Sequence, residues 1–120
     1  MKVLIVDDSR AMRMIVKRTL RQAGFNNLEI VEAQNGREAV DQVAAHSPAL
    51  ILSDWNMPEM DGYAFLEAIR AQGIKTPFGF VTAQGTPEMQ QRARNAGASF
   101  FITKPITVEA FQKNLKNHIR

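Results

Sequence analysis

The stretch MKVLIVDDSR, residues 1–10, decides the fold. Four apolar residues, Val3 to Val6, run without interruption and stop at Asp7-Asp8. A short apolar run with no polar alternation reads as a strand covered on both faces, the mark of a parallel sheet. Ser9 then opens a stretch to Ala23 with apolar residues at Met12, Ile15, Val16, Leu20 and Ala23, a helical spacing. Gly24 ends it. The chain therefore begins strand, turn, helix, with two carboxylates in the turn.

The same unit recurs along the chain. Leu28 to Ala33 is a second strand, and Asn35 caps a helix through His46 with Glu38 as its capping-box partner. Ala49 to Ser53 is a third strand, and Gly62 to Gln72 is helical, closed by Gly73. Phe78 to Thr82 is a fourth strand. Thr86-Pro87 starts a helix as cap and first-turn proline, and Gly97 ends it. Ser99 to Thr103 is a fifth strand, and Thr107 caps a last helix predicted to run nearly to Arg120. Five β-α units with short links imply an α/β fold, a parallel sheet with right-handed crossovers. The 120 residues suit one domain with its own core. No repeat, low-complexity tract or linker is visible, so residues 1–120 are expected to form a single domain without an output domain.

Composition narrows the function. With 45% hydrophobic and 22% charged residues, disorder is excluded. The absence of cysteine excludes a disulfide framework, a thiolate metal site and a Cys nucleophile together. Val3 to Val6 is too short for a signal h-region, and no stretch approaches a membrane span, so a cytoplasmic protein without a membrane partner is expected. The net charge of +3 is unevenly spread. Residues 1–28 hold six Lys/Arg and two acids, residues 29–67 eight acids and one Arg, residues 68–120 eight Lys/Arg and two acids. The basic residues do not interleave with aromatics, and Trp55 and Tyr63 lie in the acidic segment, so no nucleic-acid partner is expected.

Open parallel sheets bind ligands beyond the carboxyl ends of their strands. There stand Asp7 and Asp8, then Asp54, Trp55 and Asn56, then Thr82, then Thr103-Lys104-Pro105. Each alone is ordinary cap or loop chemistry. Together they converge on one sheet edge, where two like charges ~4 Å apart repel by roughly 4 kcal/mol at an effective dielectric near ~20. Three carboxylates in one crevice need either a cation or a raised pKa to coexist, and one lysine does not neutralise them all. A hard divalent cation beside the lysine would, and Mg²⁺ (with Mn²⁺ as an alternative) suits a few carboxylates plus water. Mg²⁺, the Lys104 ammonium, the Thr82 hydroxyl and the Ala83 N–H are the donors a phosphoryl group in transfer needs, and a carboxylate is a competent phosphoryl acceptor.

With Asp7-Asp8, Asp54, Met57-Pro58, Asp61-Gly62, Thr82-Ala83, Ala96-Gly97-Ala98 and Lys104-Pro105 in that order, the whole chain resembles the receiver domain of two-component response regulators, and specifically stand-alone CheY-like chemotaxis regulators. The resemblance implies a flavodoxin-like (βα)5 fold with strand order 2-1-3-4-5. It implies Asp54 as phosphoacceptor, Asp8 as direct Mg²⁺ ligand, Asp7 acting mostly through a metal-bound water, and Asn56 lending the metal its backbone carbonyl. Thr82, Ala83 and Lys104 would hold the phosphoryl group, Thr82 and Phe101 would form the switch pair, and Lys104-Pro105 would be cis. Its partners would be a sensor histidine kinase or histidine phosphotransfer protein, and a downstream protein, the flagellar-motor switch first and a phosphate sink or relay next. The molecule would be a monomer that catalyses its own phosphorylation and dephosphorylation, without turnover of external substrates.

Two positions depart from the family pattern. Phe101 stands where Tyr is common, keeping a rotamer switch but losing a hydroxyl. Gly79 interrupts strand 4, where glycine weakens a strand and marks close approach of a neighbour. Gln84 and Asn56 lie where they could meet a hydrolytic water. Helix 1 carries Arg10, Arg13, Lys17, Arg18 and Arg21 without an acid, and with Lys113, Lys116 and Arg120 forms either a solvated basic face or a docking face for an acidic partner. Among competitors, haloacid-dehalogenase-like phosphatases place the nucleophile after the first strand and the metal acids late, the reverse of the order here. A binding-only pseudo-receiver would lack some of the five site residues, and all are present.

Overall fold

Ten elements alternate strand and helix over residues 1–119, the residues that the computed structural model describes: β1 (Lys2–Val6), α1 (Arg10–Gln22), β2 (Glu29–Ala33), α2 (Gly36–His46), β3 (Leu50–Ser53), α3 (Gly62–Ala71), β4 (Phe78–Thr82), α4 (Pro87–Asn95), β5 (Phe100–Thr103) and α5 (Val108–Leu115). All four strand pairings are parallel, in the order β2-β1-β3-β4-β5. This is the flavodoxin-like order that the resemblance implied. It follows that β1, β3 and β4 lie inside the sheet, and these are the strands with uninterrupted apolar runs. The edge strand β2 (EIVEA) carries two glutamates, which blunt an exposed edge.

The sheet divides the core in two. Leu4, Val6, Ile51, Phe78 and Phe80 point to one face, against Ala39 and Val43 of α2, Phe65, Leu66 and Ile69 of α3, and Ala93 of α4. Val3, Ile5, Leu50, Leu52, Val81 and Ile102 point to the other, against Val16 and Leu20 of α1 and Phe111 and Leu115 of α5. Successive strand residues face opposite ways, so one apolar run feeds both layers.

Every helix starts at a capping side chain, including Asp61 before α3, for which no cap was expected. Ser9, Asn35, Asp61, Thr86 and Thr107 each accept a hydrogen bond from the backbone N–H three residues on. Each such cap contributes about 1 kcal/mol. The reciprocal half of the α2 capping box is replaced: the Glu38 carboxylate accepts from the Gln34 amide at 3.3 Å. The last helix is shorter than predicted. It ends at Leu115, and a turn closed by the His118 and Ile119 N–H groups on the Leu115 carbonyl buries Ile119 against the α1–α5 layer. Arg120, near which it was expected to end, lies outside the described residues. The strand bounds at β2, β3 and β5 begin one residue later than predicted, at Glu29, Leu50 and Phe100.

Gly79 has a steric reason. A Cβ there would sit 1.9 Å from Cε2 of Phe100, its register partner on β5. The Phe100 ring lies over the glycine and continues onto His118, with centroids 5.7 Å apart. The aromatic ring supplies the cover that the glycine lacks.

Candidate functional site

Backbone bonds just past the strands draw the polar ends together. Asp7 N–H donates to Ala33 C=O at 3.1 Å, Asp54 N–H to Val6 C=O at 2.8 Å, and Lys104 N–H to Thr82 C=O at 2.8 Å. The ladders thus run one residue beyond β1, β3 and β5 and set Asp7, Asp54 and Lys104 at the carboxyl edge. Gly62 holds the β3–α3 loop close: its N–H donates to Trp55 C=O at 2.8 Å, and a Cβ would lie 2.0 Å from Asp54 C=O.

The carboxylates of Asp7, Asp8 and Asp54 offer oxygens within 4.8 Å of one another. Asp7 and Asp54 are buried and Asp8 is exposed. One oxygen of each buried acid is anchored on backbone: Asp7 Oδ1 accepts from Ser9 N–H at 2.9 Å, Asp54 Oδ1 from Trp55 N–H at 2.7 Å. Their other oxygens share Lys104, whose Nζ stands 3.0 Å from Asp7 Oδ2 and 3.3 Å from Asp54 Oδ2. Burial alone pulls the Lys104 ammonium down. The hydrogen bond to Asp7 and the charges of Asp54 and Asp7 outweigh it, so its pKa lies above the ordinary lysine value. One ammonium against three carboxylates leaves a net negative crevice of hard oxygen donors, which fits Mg²⁺.

Thr82 supplies the second observation. Its hydroxyl is buried without a hydrogen-bond partner among the described residues. A buried unsatisfied polar group costs about 1–3 kcal/mol. The Thr82 hydroxyl stands at the end of β4, on the carboxyl edge where the acids and Lys104 gather, with its hydrogen-bonding capacity unused. Ala83, Gln84 and Asn56 are exposed along the rim. Lys104-Pro105 is cis. Phe101 is half-buried, its ring centroid 5.8 Å from Phe80 and 6.4 Å from Trp55. The register pairs Phe80 with Phe101 and Thr82 with Thr103, so Thr82 and Phe101 share one face of the sheet.

A family model for the response regulator receiver domain matches residues 3–116. The chain belongs to the response regulator receiver family. Receiver relatives resemble it along nearly their full length. It is 35% identical over 119 residues to chemotaxis protein CheY1 of Helicobacter pylori, covering 97% of this chain and 94% of that one. It is 39% identical over 110 residues to a probable chemotaxis protein CheY of Rhizobium etli, covering 90% and 84%. The crystal structure of chemotaxis protein CheY4 of Vibrio cholerae matches at a TM-score of 0.85 and 37% identity, covering 98% of each chain.

Two sets of contacts around this receiver site were not readable in the sequence. Arg13 on α1 donates to Asp7 C=O and to Glu32. Arg92 on α4 lies over the Tyr63 ring at 4.4 Å and the Trp55 ring at 5.6 Å, and those rings stack on each other at 5.2 Å. The stack ties α4 to the residue beside Asp54. Lys17, read with Arg13 as part of a basic face either solvated or docking, is instead paired with Glu32 at 3.1 Å, as is Arg13 at 2.9 Å. The exposed cations of α1 are Arg10, Arg18 and Arg21.

Proposed function

We propose that this receiver accepts a phosphoryl group on Asp54 from a histidine kinase or histidine phosphotransfer protein, with Mg²⁺, and thereby switches a protein-binding surface. The observation that carries the reading is the Asp7–Asp8–Asp54 cluster with oxygens within 4.8 Å, set beside Lys104 and the unpartnered Thr82 hydroxyl. Asp7, Asp8, Asp54 and the Asn56 carbonyl are the groups that would hold Mg²⁺ (or Mn²⁺). When bound, the ion would neutralise the carboxylates and the phosphoryl oxygens.

The chain's own residues do the rest. An Asp54 carboxylate oxygen attacks phosphorus; an O–P bond forms as the N–P bond to the donor histidine breaks, and the leaving imidazole takes a proton from water. Lys104 balances charge on the phosphoryl oxygens, and the Thr82 hydroxyl and Ala83 N–H donate to them. Attack of water on phosphorus later returns the Asp54 carboxylate and inorganic phosphate, with Gln84 and Asn56 at the rim. The chain catalyses both steps on itself and turns over no external substrate. Drawn toward the phosphate, Thr82 leaves room on its sheet face, and the half-buried Phe101 turns inward.

The names of the relatives support a place in chemotaxis, with the flagellar-motor switch as the protein target and a phosphate sink or relay as the second possibility. The protein would act as a cytoplasmic monomer without nucleic-acid or membrane partners; no helix among the described residues is long and apolar enough to cross a membrane. The test adds Mg²⁺ and a small acyl phosphate, then reads intact mass and the fluorescence of Trp55, the only tryptophan. Wild type is expected to gain one phosphoryl group, Asp54→Asn none, and chelation of Mg²⁺ to abolish the gain. No gain on wild type would end the reading.

A further inference from the structure

Asp8 is the exposed member of the acidic cluster, and among the described residues no hydrogen bond orients its side chain. Its placement therefore depends on its backbone. Among the described residues, the peptide joining Asp7 to Asp8 is fixed on its carbonyl side by one group, the Arg13 guanidinium, whose Nη1 donates to Asp7 C=O at 2.7 Å. Arg13 is itself braced: its Nε donates to Glu32 Oε1 at 2.9 Å, and Lys17 holds the other Glu32 oxygen at 3.1 Å. Its side chain is only 14% exposed. A planar guanidinium presents its donors in a rigid fork, which lets one side chain bridge a carbonyl and a carboxylate.

We propose that Arg13 is a positioning residue for the cation site, fixing the Asp7–Asp8 peptide so that the Asp8 carboxylate converges with Asp7 and Asp54. The inference rests on the Mg²⁺ reading above. It has a sign that plain electrostatics contradicts. Removing a positive charge near a cation site tightens cation binding by Coulomb's law. Removing a group that orients a ligand loosens it, typically by about 10–100-fold.

Mg²⁺ titrations read by Trp55 fluorescence separate the two. Arg13→Met is expected to raise the half-saturating Mg²⁺ concentration about tenfold or more. Lys17→Met removes the same charge from the same glutamate without touching Asp7, and is expected to leave half-saturation unchanged or lower it. Phosphorylation of Arg13→Met by a small acyl phosphate should recover at saturating Mg²⁺, since Asp54, Thr82 and Lys104 are intact. Arg13→Lys, which cannot fork to both partners, should weaken Mg²⁺ in the same direction but less, and carries the test should Arg13→Met not fold. Binding as tight as wild type in whichever arginine variant folds would overturn the proposal. A wild type with no Mg²⁺ response would overturn the underlying reading instead.

Discussion

At the scale of single residues, Thr82 and Gly79 show the same sheet serving opposite ends. The Thr82 hydroxyl is buried and, among the described residues, unpartnered, a cost of about 1–3 kcal/mol that the proposed phosphoryl contact would offset. Thr82→Val keeps the shape and removes the donor. It is expected to raise the unfolding free energy by about 1 kcal/mol while slowing phosphorylation by a small phosphodonor. Urea denaturation and intact-mass kinetics check the pair, and a variant that loses stability would contradict the assignment. Gly79 is structural by contrast. A Cβ 1.9 Å from the Phe100 ring must displace it, so Gly79→Ala is expected to cost about 1–3 kcal/mol. In a Phe100→Ala background that cost should mostly vanish, because the two positions share one space. Equal costs in both backgrounds would place the strain elsewhere.

At the scale of elements, legibility followed burial. Strands β1, β3 and β4 announced themselves as apolar runs because both their faces are covered, and each helix start carried its own cap. The candidate site was readable because Asp7, Asp54, Thr82 and Lys104 stand at or one past the ends of strands. Contacts between elements were not readable. Whether Arg13 meets Glu32, or Arg92 meets Tyr63, depends on strand order and helix rotation, which no local spacing encodes. The end of α5 was overrun for a similar reason: Lys116 and Asn117 do not forbid helix, and the turn there is set by tertiary burial of Ile119. The α1–β2 brace has its own pH signature. Burial would raise the Glu32 carboxyl, but hydrogen bonds and charge from Arg13 and Lys17 outweigh it and hold its pKa below the ordinary value. A carboxylate so depressed contributes stability fully above the unfolded pKa of about 4.3 and loses it as pH falls through the lowered folded value. Glu32 is 36% exposed, so the contribution is expected to stay within about 1 kcal/mol and to shrink with salt. The stability gap between wild type and Glu32→Gln should therefore close on acidification. A gap that stays constant from neutral pH to well below the glutamate range would refute the brace.

At the scale of the whole molecule, folding turns a segmented charge sequence into faces. Helices α1 and α5 pack together on one side of the sheet, gathering Arg10, Arg18, Arg21, Lys113 and Lys116 there. Since Arg13 and Lys17 are committed to Glu32, the free basic surface is narrower than composition suggests. It also has an apolar centre. Met14 is 58% exposed, and Arg10 and Arg18 lie four residues to either side of it, on the same helical stripe. An exposed apolar residue flanked by two cations is also the kind of surface an acidic partner with an apolar contact would match. If the phosphodonor protein docks there, its association is steered by charge and is salt-sensitive, whereas a small phosphodonor reaches Asp54 without that surface. Arg18→Glu combined with Arg21→Glu leaves the acidic crevice untouched. The pair is expected to slow phosphotransfer from the protein donor by about tenfold or more at low ionic strength, with the small-donor rate unchanged. Raising salt to ~1 M, where the screening length falls to ~3 Å, should bring variant and wild type together. Equal protein-donor rates at low salt would leave the basic face as solvated surface and move the docking site off α1.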